Sequence, residues 1–354
     1  VRVVGSGLLG ASIGLGLTRL GVDVIVDDAS PAARRLAVDY GAGRQPAEGD
    51  APGLIVVAVP PDVTADVVAA ELARFPDALV TDVASVKVAP LAELRARGAD
   101  LTRYLGTHPM AGRERGGTVS ARADLFVGRP WILAGHDGIS SRRAAPIEAM
   151  ILDLGGVPIE MEAAEHDRSV ALVSHAPQLV ASLLAARLQD GPDDALRLAG
   201  QGVRDTTRIA GSDPALWVQI LGANAASVAE VLRPLRAELD AVIAALDAPE
   251  ASGARRVLAE AIARGNAGVA RLPGKHGQDK RFTTLTVQID DRPGELARLL
   301  TEIGEEGVNM EDLRLEHSPG AQLGFAEIAV LPDAAHRLSA ALEGRGWILG
   351  EDAS

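Results

Sequence analysis

VRVVGSGLLG, residues 1–10, decides the fold. A β-branched run ends in a glycine, and the glycines at 5, 7 and 10 lead into an apolar stretch at helical spacing, Leu8 to Gly21. A strand that turns sharply into a helix leaves backbone N–H groups and the positive end of the helix dipole facing outward, which is a natural seat for a pyrophosphate. Gly5 permits the tight turn, Gly7 lets the phosphates approach the backbone, and Gly10 allows close helix packing; Ser6, Leu8 and Leu9 complete the expected cofactor loop. DVIVDD follows as a second strand ending in Asp28, or alternatively Asp27, whose carboxylate suits the adenosine ribose and repels a 2′-phosphate. NAD is therefore expected over NADP, with Arg34 and Arg35 either opposing that preference or serving as solvated helix charges. The glycine spacing alone is weak; the strand before it, the helix after it and the acid beyond make it strong.

Outward from this motif the pattern repeats. GLIVVAVP, ALVTDV, YLGTHP and PWILAG read as further strands, and Pro31–Tyr40, Val63–Phe75 and Val88–Gly98 as helices, the first with Ser30 as cap and Pro31 at its first position. This βαβα order predicts a Rossmann-type α/β domain with a parallel, doubly wound sheet over residues 1–148. Val59 and Pro60, ending the third strand beside the glycine loop, join the expected cofactor site.

Residues 149–265 read as an all-α domain, with segments Ala164–Gln189, Asp193–Ile209, Pro214–Asp247 and Ala251–Gly265. VALVSHAPQLVASLLAARL is apolar on more than one helical stripe, so a homodimer interface is expected there. Residues 266–282, rich in Gly, Pro and charge, read as a linker. Residues 283–354 give a ferredoxin-like βαββαβ order.

Composition narrows the function classes. The 354 residues are 47% hydrophobic, enough for two or three domains, and a net charge of −13 argues against nucleic acid as the main partner. Without cysteine, disulfides, Cys-zinc sites and thiol nucleophiles are excluded, in keeping with a reducing cytoplasm. The apolar runs Leu54–Pro60 and Val170–Leu188 are short or interrupted by His175, Pro177 and Gln178, so no membrane span is expected; nor is a signal peptide, since the chain opens directly in a strand.

Four segments ask for a common explanation: TDVASVK (81–87), GTHPMAGRERGG (106–117), EHDRSVALVSHAPQ (165–178) and GQGVRDTTRIAGSDPALW (200–217). The first two end strands at the sheet edge where open α/β folds hold their ligands. His108 is either a packed strand-end residue or a proton acceptor that is neutral near pH 7. His166 and His175 lie nine apart, not three or four, so a metal site is not expected. Lys87 reads as a surface charge or a loop anchor, Trp217 as junction packing or substrate contact, and His136, His276, His317 and His336 as surface or linker residues.

Together these segments resemble the prephenate/arogenate dehydrogenase family of tyrosine biosynthesis, over essentially the whole chain, through THPMAGRE and VRDTTRIAGSDPALW. The resemblance implies NAD-dependent oxidative decarboxylation: a hydride leaves C4 of a cyclohexadienol, the C4 hydroxyl gives up its proton, and the ring carboxylate departs as carbon dioxide. By the same resemblance His108 accepts the hydroxyl proton, and Ser85 hydrogen-bonds that hydroxyl or the nicotinamide while also suiting a helix N-cap. Arg208 grips a substrate carboxylate, Arg204 steers the second, and Glu114 stands at the pocket mouth as a partner for Arg208. SHAPQ departs from the common family form SHLPH, leaving His175 but placing Gln178 where a second pocket histidine stands. That change bears on the side-chain end of the substrate, a keto group in prephenate and an ammonium in arogenate; prephenate is expected, with arogenate as the alternative.

IDDRPGELARLL followed by VNMEDL resembles an ACT domain, which implies an amino-acid effector site at Asp291, Arg292, Pro293, Gly294 and Asn309, with L-tyrosine the natural effector, or else a purely structural dimerisation module. Two rivals differ in kind: a hydroxy-acid dehydrogenase, which gives no reason for THPMAGRE, and a non-catalytic NAD-sensing regulator, which would bind NAD without turnover.

Overall fold

The computed structural model describes residues 1–112, 116–272, 282–290, 292–317 and 323–350. The chain divides into two compact units, Val1–Ala237 and Glu238–Ser354.

The first unit begins with β1 (Arg2–Val4), α1 (Leu8–Arg19), β2 (Ile25–Asp27), α2 (Pro31–Asp39), β3 (Leu54–Val57), α3 (Pro61–Arg74), β4 (Leu79–Asp82), α4 (Val88–Ala96) and β5 (Tyr104–Pro109). After these come β6 (Pro130–Gly135), α5 (Ser141–Asp153) and β7 (Val157–Glu162). All six expected strands form, and Ser30 Oγ accepts from the Ala33 amide at 3.3 Å at the start of α2. Among the described residues the sheet has seven strands in the order β2-β1-β3-β4-β5-β6-β7. Alternation along β3 sorts its side chains: Val56 enters a cluster with Val3, Ile13, Val26 and Trp131, while Ile55 and Val57 join Val68, Val80 and Leu94. Both faces are thus covered, as parallel strands require.

Two expectations need correction. The sheet is not parallel throughout, because β6 runs antiparallel to β5 and β7 parallel to β6. No crossover helix is described between β5 and β6, so the chain leaves and re-enters the sheet at the same edge, and such a connection makes an antiparallel pair. Strand β7 also lies beyond the expected domain end at 148, a position inside α5.

The helical segments are more broken than their composition suggests. α6 (Ala163–Val170) passes through a π-helical turn, Ala171–His175, into α7 (Ala176–Arg187); α8 (Asp193–Leu196), α9 (Gln201–Thr207), α10 (Pro214–Ala223) and α11 (Ala225–Asp247) follow. Asp213 caps α10 by accepting from the Ala215 amide at 2.9 Å, and a 94° bend at Asn224 separates α10 from α11. By length and composition Ala163–Asp190 could cross a membrane, yet it buries His166, Asp167, His175 and Gln178. Its exposed Leu172, Val173, Leu183 and Leu184 give it an outward apolar face.

The second unit holds α12 (Ala254–Val269), β8 (Thr283–Asp290), α13 (Glu295–Glu305), β9 (Met310–His317), β10 (Leu323–Val330), α14 (Pro332–Gly344) and β11 (Ile348–Leu349). Its sheet is antiparallel in the order β11-β8-β10-β9, the expected βαββαβ arrangement. Leu299 and Ile303 of α13 and Leu338 and Leu342 of α14 bury against Val287, Ala326 and Ile328 of the strands.

Candidate active site

The glycine loop is built for a ligand. Gly5 has φ +98°, and a Cβ there would lie 2.3 Å from the Ala58 carbonyl oxygen; at Gly10 it would lie 1.9 Å from that of Gly5. At Gly7, by contrast, nothing among the described residues lies within 4 Å, and none of their side chains caps the start of α1. Two glycines thus answer backbone already in place and the third faces open space. Leu8 and Leu9 begin α1, and Pro60 caps α3 one residue after Val59. Asp28 turns toward the loop, its Oδ2 accepting from the Ser6 amide at 2.7 Å and the Ser6 hydroxyl at 2.8 Å. The alternative, Asp27, is occupied elsewhere: it receives Arg2 at 2.7 Å and Arg34 at 3.0 Å.

Past β4 the loop is anchored from within. Lys87, 1% exposed, pairs with Asp82 and donates to the Thr107 carbonyl at 2.6 Å, so it is an anchor and not a surface charge. Burial pushes its ammonium down and Asp82 opposes that shift. Tyr104 donates to the same carboxylate at 2.7 Å, and a Cβ at Gly106 would come within 2.9 Å of that hydroxyl, which is why YLGTHP carries glycine there. Trp131 on β6 donates to Thr107 Oγ1 at 3.0 Å. These bonds fix the backbone that leads into His108.

His108 is 8% exposed, and its Nδ1 lies 2.8 Å from Nε2 of His166, the rings meeting edge to face. His166 Nδ1 in turn lies 2.7 Å from Asp167 Oδ1. Asp167 also caps α4, accepting from the Lys87 amide at 2.9 Å and the Val88 amide at 3.0 Å. Ser85 therefore is not the N-cap; it stands half-buried in the loop between β4 and α4, and the cap is supplied by a carboxylate from α6. Burial raises the Asp167 carboxyl, but hydrogen bonds from His166, Val88 and Lys87 more than offset it and hold the group below its ordinary value. Burial, reinforced by His166, Lys87 and His175, holds His108 well below the ordinary histidine range, so it is neutral at pH 7.

His175, at the end of the π turn, faces Asn224 Nδ2 at 3.2 Å and meets the Trp217 ring edge to face at 5.9 Å. Asn224 also donates to the Asp167 carbonyl at 2.7 Å. Burial, opposed by Asp167, takes His175 down to about 4. A cavity of ≈ 320 Å³ lies alongside, lined among others by Gly112, Ser174, Gln178, Arg208, Ser212 and Trp217. The Ser212 hydroxyl is 3.4 Å from Gln178 Oε1. His108 itself does not line this cavity among the described residues, although Gly112 from the same segment does. Nor does Arg204, which is exposed on α9. Glu114 lies outside the described residues.

In the second unit, Gly294, φ +97°, stands at the N-terminus of α13 beside Pro293 and the exposed Arg292, and Asn309 donates to Glu311 at 3.0 Å. Asp291 lies outside the described residues. His136 corrects its expectation as a surface residue, since it is half-buried with Nε2 2.9 Å from the Tyr104 carbonyl. His336 is exposed on α14, His317 ends β9, and His276 is outside the described residues.

Sequence reasoning overlooked His166, Asp167 and Asn224 as parts of this site. The signal was present in EHD, an acid adjacent to a histidine just inside a helix, but spacing along one helix gives no information on partners across elements.

Residues 13–160 match the model described as prephenate dehydrogenase, nucleotide-binding domain, and residues 162–260 the one described as prephenate dehydrogenase, dimerization domain. The chain is 38% identical over 357 residues, 98% of each chain, to the Streptomyces niveus protein named Probable prephenate dehydrogenase NovF. It is 25% identical to the prephenate dehydrogenase of Bacillus subtilis, covering 89% of this chain and 87% of that one. Among solved structures, prephenate dehydrogenase from A. aeolicus in complex with hydroxyphenyl propionate and NAD+ is 26% identical with a TM-score of 0.65, covering 75% of this chain and 96% of that one. Synechocystis arogenate dehydrogenase is likewise 26% identical, with a TM-score of 0.61, covering 75% and 99%.

Proposed function

The chain belongs to the prephenate dehydrogenase family, and on that premise we propose that it is an NAD-dependent enzyme converting prephenate to 4-hydroxyphenylpyruvate and carbon dioxide in L-tyrosine biosynthesis. The observation that carries the chemistry is His108, a buried neutral imidazole at the end of β5. Bound NAD supplies the acceptor for the C4 hydrogen and its electron pair. The open space at Gly7, the uncapped start of α1 and the Asp28 carboxylate beside the loop fit that cofactor.

His108 takes the proton of the C4 hydroxyl as C4 is oxidised. The bond from the ring to its carboxylate then breaks, and its electron pair makes the ring aromatic with a phenolate oxygen at C4. The proton returns to that oxygen, so the base is restored without net release of acid. Ser85, in the loop beneath the same strand ends, is the proposed second contact to the hydroxyl or the nicotinamide. Arg208 in the cavity is proposed to hold one substrate carboxylate. Arg204, exposed on α9, is proposed to steer the second, and Glu114, outside the described residues, keeps only the role that the family resemblance implies, a partner for Arg208. Gln178, buried beside Ser212, and His175 behind Trp217 face the side-chain end. A neutral amide accepts a keto group's neighbourhood without needing a counter-charge, which favours prephenate over arogenate.

The proposed assembly is a cytoplasmic homodimer joined through the exposed apolar helix faces, and the βαββαβ module is proposed to be an ACT domain. Its β11-β8-β10-β9 order and the turn at Gly294 before α13 support a site for L-tyrosine as feedback effector. Initial rates with prephenate and arogenate, each with NAD and NADP, with and without tyrosine, test the substrate, cofactor and effector readings. Prephenate with NAD is expected to give the highest kcat/KM; NAD binding without turnover of either substrate would instead mark a sensor.

A further inference from the structure

The reading of His108 as the base leaves open what decides which of its nitrogens carries the proton, and on that reading we infer that Asp167 and His166 are positioning residues that fix His108 as a base through Nε2. Asp167 Oδ1 lies 2.7 Å from His166 Nδ1 and, as a carboxylate, only accepts, so that nitrogen bears hydrogen. With a single proton on each ring, His166 Nε2 then presents a lone pair. The 2.8 Å contact to His108 Nδ1 therefore needs its hydrogen on His108. What remains on His108 is an Nε2 lone pair, the form a proton acceptor requires. A histidine with the opposite tautomer would offer an N–H to the substrate and abstract nothing.

The same line accommodates the charge that arrives. When the hydroxyl proton reaches His108 Nε2, the ring becomes an imidazolium in a buried site that also faces Lys87 and His175. Moving the Nδ1 proton to His166 Nε2 shifts that positive charge one ring nearer to the Asp167 carboxylate, and the reverse transfer restores His108 as the phenolate takes its proton back. No proton is created or lost along the line. Asp167 is itself held by the Lys87 and Val88 amides and, through its carbonyl, by Asn224, so the line is anchored to α4 at one end and to the bend before α11 at the other.

The test compares His166→Leu, His166→Gln and His108→Asn in the full-length chain, measuring kcat and KM for prephenate, NAD affinity and the pH profile of kcat/KM. His166→Gln keeps an acceptor for the His108 Nδ1 hydrogen but carries no proton, whereas His166→Leu removes both functions. kcat is expected to fall roughly 100-fold or more in the leucine variant and roughly tenfold in the glutamine variant, on the scale of a misaligned base, with both KM values and NAD affinity within about twofold. The acid limb of the leucine variant is expected to rise toward the ordinary histidine range, because His166 is one of the groups that depress His108. Should the leucine variant not fold, the glutamine variant decides. A kcat within twofold of wild type in each folded variant overturns the inference, as does an equal loss in both with raised KM, which would mark simple loss of packing. If His108→Asn also keeps full activity, the failure lies with the base itself and not with its positioning.

Discussion

Arg34 is tied to Asp27 at 3.0 Å, and the same carboxylate receives the buried Arg2 at 2.7 Å. Arg34, one of the two arginines whose position could welcome a 2′-phosphate, is thus already neutralised by Asp27, and Asp28 stands beside it as the carboxylate facing the glycine loop. Asp28→Ser is expected to relax the preference for NAD, and Asp27→Asn added to it to raise kcat/KM with NADP by roughly another tenfold as Arg34 is released to a phosphate. No gain from the second substitution would show that Arg34 does not reach the ribose.

His108→Asn is expected to leave NAD affinity near wild type while kcat falls by about two to four orders of magnitude, the scale of a positioned base. Single-turnover measurement of NADH formation checks this, and an unchanged rate removes His108 from the chemistry.

Arg208→Ala is expected to raise KM for prephenate by about 10- to 100-fold, the equivalent of a charge-assisted hydrogen bond, with little change in KM for NAD. A KM within twofold of wild type would place the carboxylate elsewhere.

Two glycine variants separate fold from ligand. Gly10→Ala puts a Cβ 1.9 Å from the Gly5 oxygen, so the backbone must move, and a stability loss of about 1–3 kcal/mol is expected, read as a lower Tm. Gly7→Ala meets no atom within 4 Å and is expected to keep Tm while weakening NAD binding roughly tenfold, because the methyl group occupies the phosphate's approach. Equal Tm losses in both would contradict the open cradle.

His175 sets a pH dependence of stability. Its folded value, about 4, lies below the ordinary 6.5, so the unfolded chain binds the proton more readily. The stabilisation is complete above about 6.5 and is lost as pH falls toward 4. Urea midpoints from pH 7 to 4 are expected to fall more steeply in wild type than in His175→Gln; parallel curves would refute the shift.

Much of the sheet was legible because buried strands carry unbroken apolar runs, as in Leu54–Val57. β7, VPIEME, escaped notice because it is an edge strand with mostly exposed residues and alternating charge. The reversal of β6 was invisible for another reason: apolar periodicity locates a strand but carries no direction. In the candidate site, the motif singled out His108 for attention, whereas Asp167 gave no such signal, since it caps α4 some eighty positions earlier in the chain. Helical composition likewise hid the breaks at Asn224 and in Ala171–His175, where side-chain character stays apolar while backbone pitch changes.

The π turn between α6 and α7 is a matter of residue count more than of residue type. In an unbroken α-helix, positions nine apart point to opposite sides, since each residue advances about 100°. The wider turn delays that advance and lets His166 and His175 both be buried in the same unit. It works as a phase correction written in chain length: removing one residue from Ala171–His175 would rotate everything downstream, Gln178 included, by about 100° against His166. The offset is one of register, so at this point in the chain the length of the sequence keeps the two halves of the candidate site in step.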